Sequence, residues 1–106
     1  MGIIGVGNIG RNVGRIAKCL RMNLIGYDIF PINQDYVREV GMIKTDLKTL
    51  LENSDFVTCH VPLTEETRHL INSETLSHMK PTSFLINTSR GEIIDEQSLF
   101  MALTEK

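Results

Sequence analysis

The chain has 106 residues, 42% hydrophobic and 23% charged, which suits one soluble domain with enough apolar sequence for a single core. Eleven Lys and Arg against thirteen Asp and Glu give a net charge of -2 with no basic run, so nucleic acid and anionic membranes have little support as partners. No apolar run approaches the ~18 residues that span a bilayer, and no basic segment precedes the glycine-rich start, so neither a membrane span nor a secretory signal is expected.

Short apolar runs alternate with helical patterns along the whole sequence. Gly2-Ile3-Ile4-Gly5-Val6 reads as a strand. A helix follows, with Ile9, Val13, Ile16 and Leu20 on one face and Arg11, Arg15, Lys18 and Arg21 mostly on the other. Leu24-Ile25-Gly26-Tyr27 is a second strand, ending at Asp28. Phe30-Pro31-Ile32-Asn33 is a turn, and a short helix over residues 34–40 stops at Gly41, where a helix-ending glycine belongs. Met42-Ile43 is a brief strand, and residues 46–52 form an amphipathic helix carrying Leu47, Leu50 and Leu51. Residues 55–61 are a buried strand closed by Pro62. Residues 63–72 are loop with at most a turn of helix. A helix covers residues 73–79 and ends before Pro81, because the residue preceding proline leaves helical space. Residues 83–87 are a further strand, Ser89-Arg90-Gly91 a turn, and Asp95 caps a last helix with Leu99, Ala102 and Leu103 on one face.

This alternation predicts an α/β domain: a doubly wound, Rossmann-type parallel sheet of about five strands with helices on both faces, incomplete at its C-terminal end. Crossovers are expected to be right-handed. No repeat or linker divides residues 1–106. Cys19 and Cys59, in apolar surroundings, form no metal-ligand pattern. A reduced, cytoplasmic protein without a metal is the expectation.

Gly5-Val6-Gly7-Asn8-Ile9-Gly10 matches G-x-G-x-x-G after an apolar strand and at the opening of a helix. In that context Gly5 permits the tight turn, Gly7 leaves room for a pyrophosphate, and Gly10 lets helix and sheet pack closely. The phosphates would lie on the free N–H groups and the positive end of the helix. Asp28 follows Gly10 by eighteen positions, close to the roughly 20 expected of a carboxylate that accepts the adenosine ribose hydroxyls. It would repel a 2′-phosphate and no Arg follows it, so NAD is favoured over NADP.

Three further segments add detail: Asp55-Phe56-Val57-Thr58-Cys59-His60-Val61-Pro62-Leu63-Thr64, Thr67-Arg68-His69-Leu70-Ile71-Asn72, and Asn87-Thr88-Ser89-Arg90-Gly91-Glu92-Ile93-Ile94-Asp95. With the glycine turn, they resemble the cofactor domain of the NAD-dependent D-2-hydroxyacid dehydrogenases over nearly the whole chain. The resemblance implies a cofactor domain of an oxidoreductase that moves a hydride between nicotinamide and a 2-hydroxy or 2-oxo acid. It implies that Asn8 and Ile9 touch the pyrophosphate, that Asp28 holds the ribose, and that Val61 and Pro62 wall the adenosine side. Thr67 matches a polar position near the cofactor's phosphate or ribose. Thr88, Ser89 and Arg90 match the segment beside the nicotinamide, and Arg90 matches the catalytic arginine. A guanidinium there suits the chemistry, since it can grip a carboxylate by paired hydrogen bonds and polarise the neighbouring carbonyl.

The family's acid/base pair, a histidine with a supporting carboxylate, matches no segment here. His60, His69 and His78 read as packing, loop and helix residues, with no carboxylate at a spacing that would tune them. Little or no turnover is therefore expected of these residues alone. The family commonly pairs through its cofactor domains, so a homodimer is expected. The alternatives are a stand-alone nucleotide-binding or regulatory remnant without catalysis, or a Rossmann domain that serves structure alone.

Overall fold

A computed structural model describes residues 1–104. The strands are β1 (Gly2–Ile4), β2 (Ile25–Tyr27), β3 (Ile43–Lys44), β4 (Phe56–Cys59) and β5 (Phe84–Asn87). Between and after them come α1 (Asn8–Cys19), α2 (Gln34–Val40), α3 (Leu47–Asn53), α4 (Ser73–Ser77) and α5 (Glu96–Thr104), with a 3-10 turn at Gly91–Ile93. The sheet has the order β3-β2-β1-β4-β5, and every pairing is parallel. Strand order reverses between β1 and β4, which opens a crevice at the C-terminal ends of the strands.

Alternation along β1 divides the core in two, because successive strand residues face opposite sides. Ile3 packs with Val6, Ala17, Leu24, Tyr36, Val40 and Met42 under α1 and α2. Ile4 packs with Leu50, Leu51, Val57, Cys59, Ile71 and Ile93 on the side of α3 and α4. Both faces are covered, as the doubly wound expectation requires. Burial raises the Cys59 thiol to about 12, which leaves it an inert core group.

Local signals in the sequence explain several boundaries. The Asn33 side chain accepts from the Tyr36 N–H at 3.0 Å and starts α2, while Gly41, at φ 67°, ends it in the left-handed region. Asp46 caps α3 by accepting from the Thr49 N–H at 2.7 Å. Asn72 and Thr75 form a capping box on α4.

The faces of α1 differ from the expectation. The apolar spacing marked a helix correctly, yet Ile9, Ile16 and Leu20 are 66%, 63% and 70% exposed. Gly10, Gly14 and Ala17 are the buried residues of this helix instead. A Cβ at Gly14 would meet the Tyr36 hydroxyl and the Ile3 side chain, so the helix lies against the sheet along a stripe with almost no side chains. The basic side turns to α2, where Arg15 pairs with Glu39 at 2.8 Å and Lys18 donates to the Glu39 carbonyl at 2.5 Å. The apolar stripe is left on the side away from α2. Cys19 is likewise exposed rather than packed among apolar groups.

The β5 side is thinly covered too. Phe84 and Ile86 on this edge strand are exposed, and α5 buries no residue. Leu99, Ala102 and Leu103 share an open hollow with Leu76, Met79 and Leu85. Among the described residues, no helix is long and apolar enough to cross a membrane.

Candidate functional site

The end of β1 runs into the glycine turn, and backbone hydrogen bonds fix it on both sides. The Gly5 N–H donates to the Tyr27 carbonyl at 2.8 Å, and the His60 N–H donates to the Ile4 carbonyl at 2.7 Å. Gly5 has φ 91°, and a Cβ there would lie 2.6 Å from the His60 carbonyl oxygen and 2.7 Å from Val61 Cγ1. Only glycine suits that conformation and that gap. At Gly10 a Cβ would run into the Gly5 carbonyl oxygen, so the close approach of α1 to β1 depends on this residue as well.

Gly7 behaves differently. It is exposed, its φ is -88°, and a Cβ would meet no protein atom within 4 Å. Neither backbone conformation nor internal packing asks for glycine here. A glycine here leaves the backbone open to close approach from outside, as a ligand's diphosphate requires.

The start of α1 is also unlike those of α2, α3 and α4, each of which has a side-chain cap. No side chain caps α1, and its first turn holds no acidic residue. Its first N–H groups and its positive dipole end are thus left for an anion. Asn8 offers mainly its backbone, since its Oδ1 accepts from Arg11 Nη2 at 2.7 Å. That bond brings the Arg11 guanidinium to the helix start and adds positive charge beside the turn. The sequence reading had placed Arg11 on the outer face, because a contact across one helical turn leaves no mark on apolar spacing. Ile9 projects its side chain outward, so it too can serve through its N–H.

Asp28 stands at the tip of β2, against the turn. Its Oδ2 accepts from the Val6 N–H at 2.7 Å and its Oδ1 from the Phe30 N–H at 3.1 Å. One carboxylate thus ties the glycine turn to the loop after β2, a structural duty the sequence did not disclose. A carboxylate has about four lone-pair sites, so lone pairs remain for the two hydroxyls of a sugar. Asp28 lines a hollow of about 370 Å³ with Gly26, Tyr27, Phe30, Pro31, Ile32, Lys44 and Thr45. Lys44 is the cation of that hollow and comes from β3, beyond the stretch that the spacing rule inspects.

On the other side of the turn, Val61, Pro62, Leu63, Thr88, Ser89 and Arg90 line a second groove of about 620 Å³. Val61 and Pro62, expected on the adenosine side, stand here with the residues expected beside the nicotinamide. Val61 is buried and packs into the core, so Pro62 is the exposed wall.

Thr67 is fully buried, its Oγ1 donates to the Pro62 carbonyl at 2.7 Å, and it accepts from the Thr64 N–H at 2.8 Å. Its hydroxyl holds the loop of residues 62–67.

Arg90 is exposed at the C-terminal edge of the sheet, and among the described residues its guanidinium has no hydrogen bond or ion pair. Asn87, at the end of β5, ties down the turn that carries it. His60 links the two loops. Its Nε2 lies 2.8 Å from Thr58 Oγ1, and its Nδ1 lies 3.4 Å from Thr88 Oγ1. Burial holds its pKa below the ordinary value, so the ring is neutral near pH 7.

These features fit a dinucleotide: an anion cup of backbone amides, a sugar-binding carboxylate on one side, and a groove with a free guanidinium on the other. Comparison with known proteins agrees. The family described as D-isomer specific 2-hydroxyacid dehydrogenase, NAD binding domain, matches residues 1–106. The chain is 48% identical to a glyoxylate reductase of Korarchaeum cryptofilum, over 99% of this chain and 31% of that protein. It is 47% identical to a D-3-phosphoglycerate dehydrogenase of Synechocystis, over 97% of this chain and 18% of that protein. A D-lactate dehydrogenase from Aquifex aeolicus, solved with NAD and lactic acid, superposes with a TM-score of 0.92 at 39% identity, covering 98% of this chain and 31% of that one. The chain spans less than a third of the length of these relatives. It belongs to the D-isomer-specific 2-hydroxyacid dehydrogenases, as their NAD-binding domain.

Proposed function

We propose that the chain holds NAD(H) along the C-terminal edge of its sheet for an oxidoreductase that interconverts a 2-hydroxy acid and a 2-oxo acid. The carrying observation is the uncapped start of α1, open above Gly7, with the Asp28 carboxylate 2.7 Å from the adjoining Val6 N–H. The amides of Asn8 and Ile9 bind the diphosphate, and Arg11 adds charge beside them. Asp28 accepts from the adenosine ribose and disfavours a 2′-phosphate. Pro62, Thr88 and Ser89 bound the nicotinamide end. When bound, the nicotinamide supplies or accepts the hydride. Arg90 grips the substrate carboxylate by paired hydrogen bonds, which orients the reacting carbon and polarises its carbonyl oxygen.

Proton transfer needs a general acid and base, a role we assign to none of the described residues. His60 is engaged by Thr58 and stays neutral, which suits a packing role better than that of a general acid. We therefore expect little turnover from these residues alone. A homodimer, as the family resemblance implies, would cover the exposed Ile9, Ile16 and Leu20 stripe of α1, and light scattering across concentrations tests it. A reducing, cytoplasmic setting fits the unpaired Cys19 and Cys59.

Calorimetric titration with NADH and NADPH tests the cofactor assignment. The parent is expected to prefer NADH, and Asp28→Ala to bind NADH about tenfold more weakly with a narrower gap to NADPH, the scale of one or two lost charge-assisted hydrogen bonds. An unchanged ratio in the variant removes Asp28 from the ribose.

A further inference from the structure

Asn87 holds the turn that bears Arg90 through three hydrogen bonds from one side chain. Its Oδ1 accepts from the Ser89 N–H at 3.0 Å and from the Ser89 hydroxyl at 2.6 Å. Its Nδ2 donates to the Arg90 carbonyl at 2.9 Å. The same carbonyl accepts from the Ile93 N–H at 3.1 Å, and Ile93 is fully buried. The backbone of Arg90 is thus tied to the tip of β5 on one side and to the core on the other. The Arg90 side chain, by contrast, has no partner of its own among the described residues, so its direction is inherited from that backbone. Only an amide of this length supplies both halves of the clamp: Asp lacks the donor, Ser lacks the reach, and Ala lacks both.

We infer that Asn87 is a positioning residue for Arg90: its carboxamide sets the turn so that the guanidinium enters the groove walled by Pro62 and Leu63 in the orientation a carboxylate requires. The inference rests on the assignment of Arg90 to the substrate carboxylate. Bidentate recognition needs both guanidinium N–H groups in place together, so a turn that relaxes by an ångström weakens it disproportionately. The diphosphate cup lies on the far side of β4 from this turn and shares none of these bonds, whereas Ser89 borders the nicotinamide end, so NADH affinity is expected to fall less than oxamate affinity.

The test uses the full-length gene product loaded with NADH and measures binding of oxamate, a small 2-oxo acid mimic, alongside the NADH dissociation constant. Asn87→Ala is expected to weaken oxamate about tenfold, the scale of one or two hydrogen bonds lost, while NADH, anchored mainly at the diphosphate cup, weakens clearly less. Arg90→Ala is expected to weaken oxamate further, and the double variant to bind no worse than Arg90→Ala alone, because Asn87 acts through that residue. Asn87→Asp keeps both acceptor bonds but sets an anionic oxygen against the Arg90 carbonyl and adds charge near the oxamate carboxylate, so it is expected to weaken oxamate at least as much as Asn87→Ala. It carries the test if the alanine variant does not fold. Independent, multiplying losses overturn the inference, as does normal oxamate binding by Asn87→Ala in a protein that Arg90→Ala impairs. A parent that ignores oxamate, or an Arg90→Ala variant that binds it normally, overturns the Arg90 assignment itself and this inference with it.

Discussion

The two ends of the cofactor edge are built on different principles. At the glycine turn, the atoms that matter are backbone amides, and each neighbour that fixes them is backbone or is bonded to backbone: Tyr27 O, Ile4 O and the Asp28 carboxylate. At the Arg90 end, the acting group is a long exposed side chain on a turn held by one asparagine. The first end is a consequence of the fold itself and tolerates little besides glycine at two positions. The second depends on particular side chains and can be altered with the sheet untouched.

The largest effect that would break this contrast lies at Gly10. A Cβ there meets the Gly5 carbonyl, and backbone cannot yield as a flexible side chain can. Gly10→Ala is expected to cost at least about 1–3 kcal/mol of stability and most of the NADH affinity together, measured by urea unfolding and calorimetry. Next comes Asp28, where two N–H groups lose their acceptor. Asp28→Ala is expected to cost about 1–3 kcal/mol, and Asp28→Asn, which keeps one carbonyl oxygen, clearly less. Equal stability of all three proteins would deny the carboxylate its clamping duty. At Arg90, whose guanidinium has no partner among the described residues, Arg90→Ala is expected to leave the stability within about 0.5 kcal/mol of the parent. A larger loss would mean the guanidinium supports the fold.

The smallest effect concerns acidity. His60 has a folded-state pKa below its unfolded value, so the unfolded chain takes up the proton first as pH falls. Its contribution is therefore complete above the unfolded value of about 6.5 and declines as pH drops from there toward the folded value. His60→Asn is expected to flatten the fall in the urea midpoint below about pH 6.5, read relative to each protein's own midpoint at about pH 7.5. An identical slope in both proteins would show that the ring is not sensed by folding.

Much of this was legible in the residues. Strand–helix alternation, the Gly41 stop of α2, and the spacing of the glycine turn to Asp28 are local signals with local causes, and the fold kept them. What stayed hidden depends on neighbours distant in sequence or on residues with little side chain. The apolar stripe of α1 marked a helix but not its buried face, because that contact belongs to Gly10, Gly14 and Ala17. The resemblance put Thr67 near the cofactor but could not show that its hydroxyl also holds the loop through the Pro62 carbonyl and the Thr64 N–H. Asn87 passed as the last residue of a strand. An asparagine followed by Thr-Ser-Arg-Gly at a strand end is an Asx-turn signal that could have flagged it.

The most direct test is a titration of NADH into the parent chain and into Gly7→Ala, with the unfolding midpoint of each measured alongside. Since a Cβ at Gly7 meets nothing in the protein, the variant is expected to be as stable as the parent or slightly more so, and to bind NADH at least about tenfold more weakly, because the added methyl occupies the diphosphate's place. Equal NADH affinity in the two proteins, or no binding by the parent at millimolar cofactor, would contradict the account.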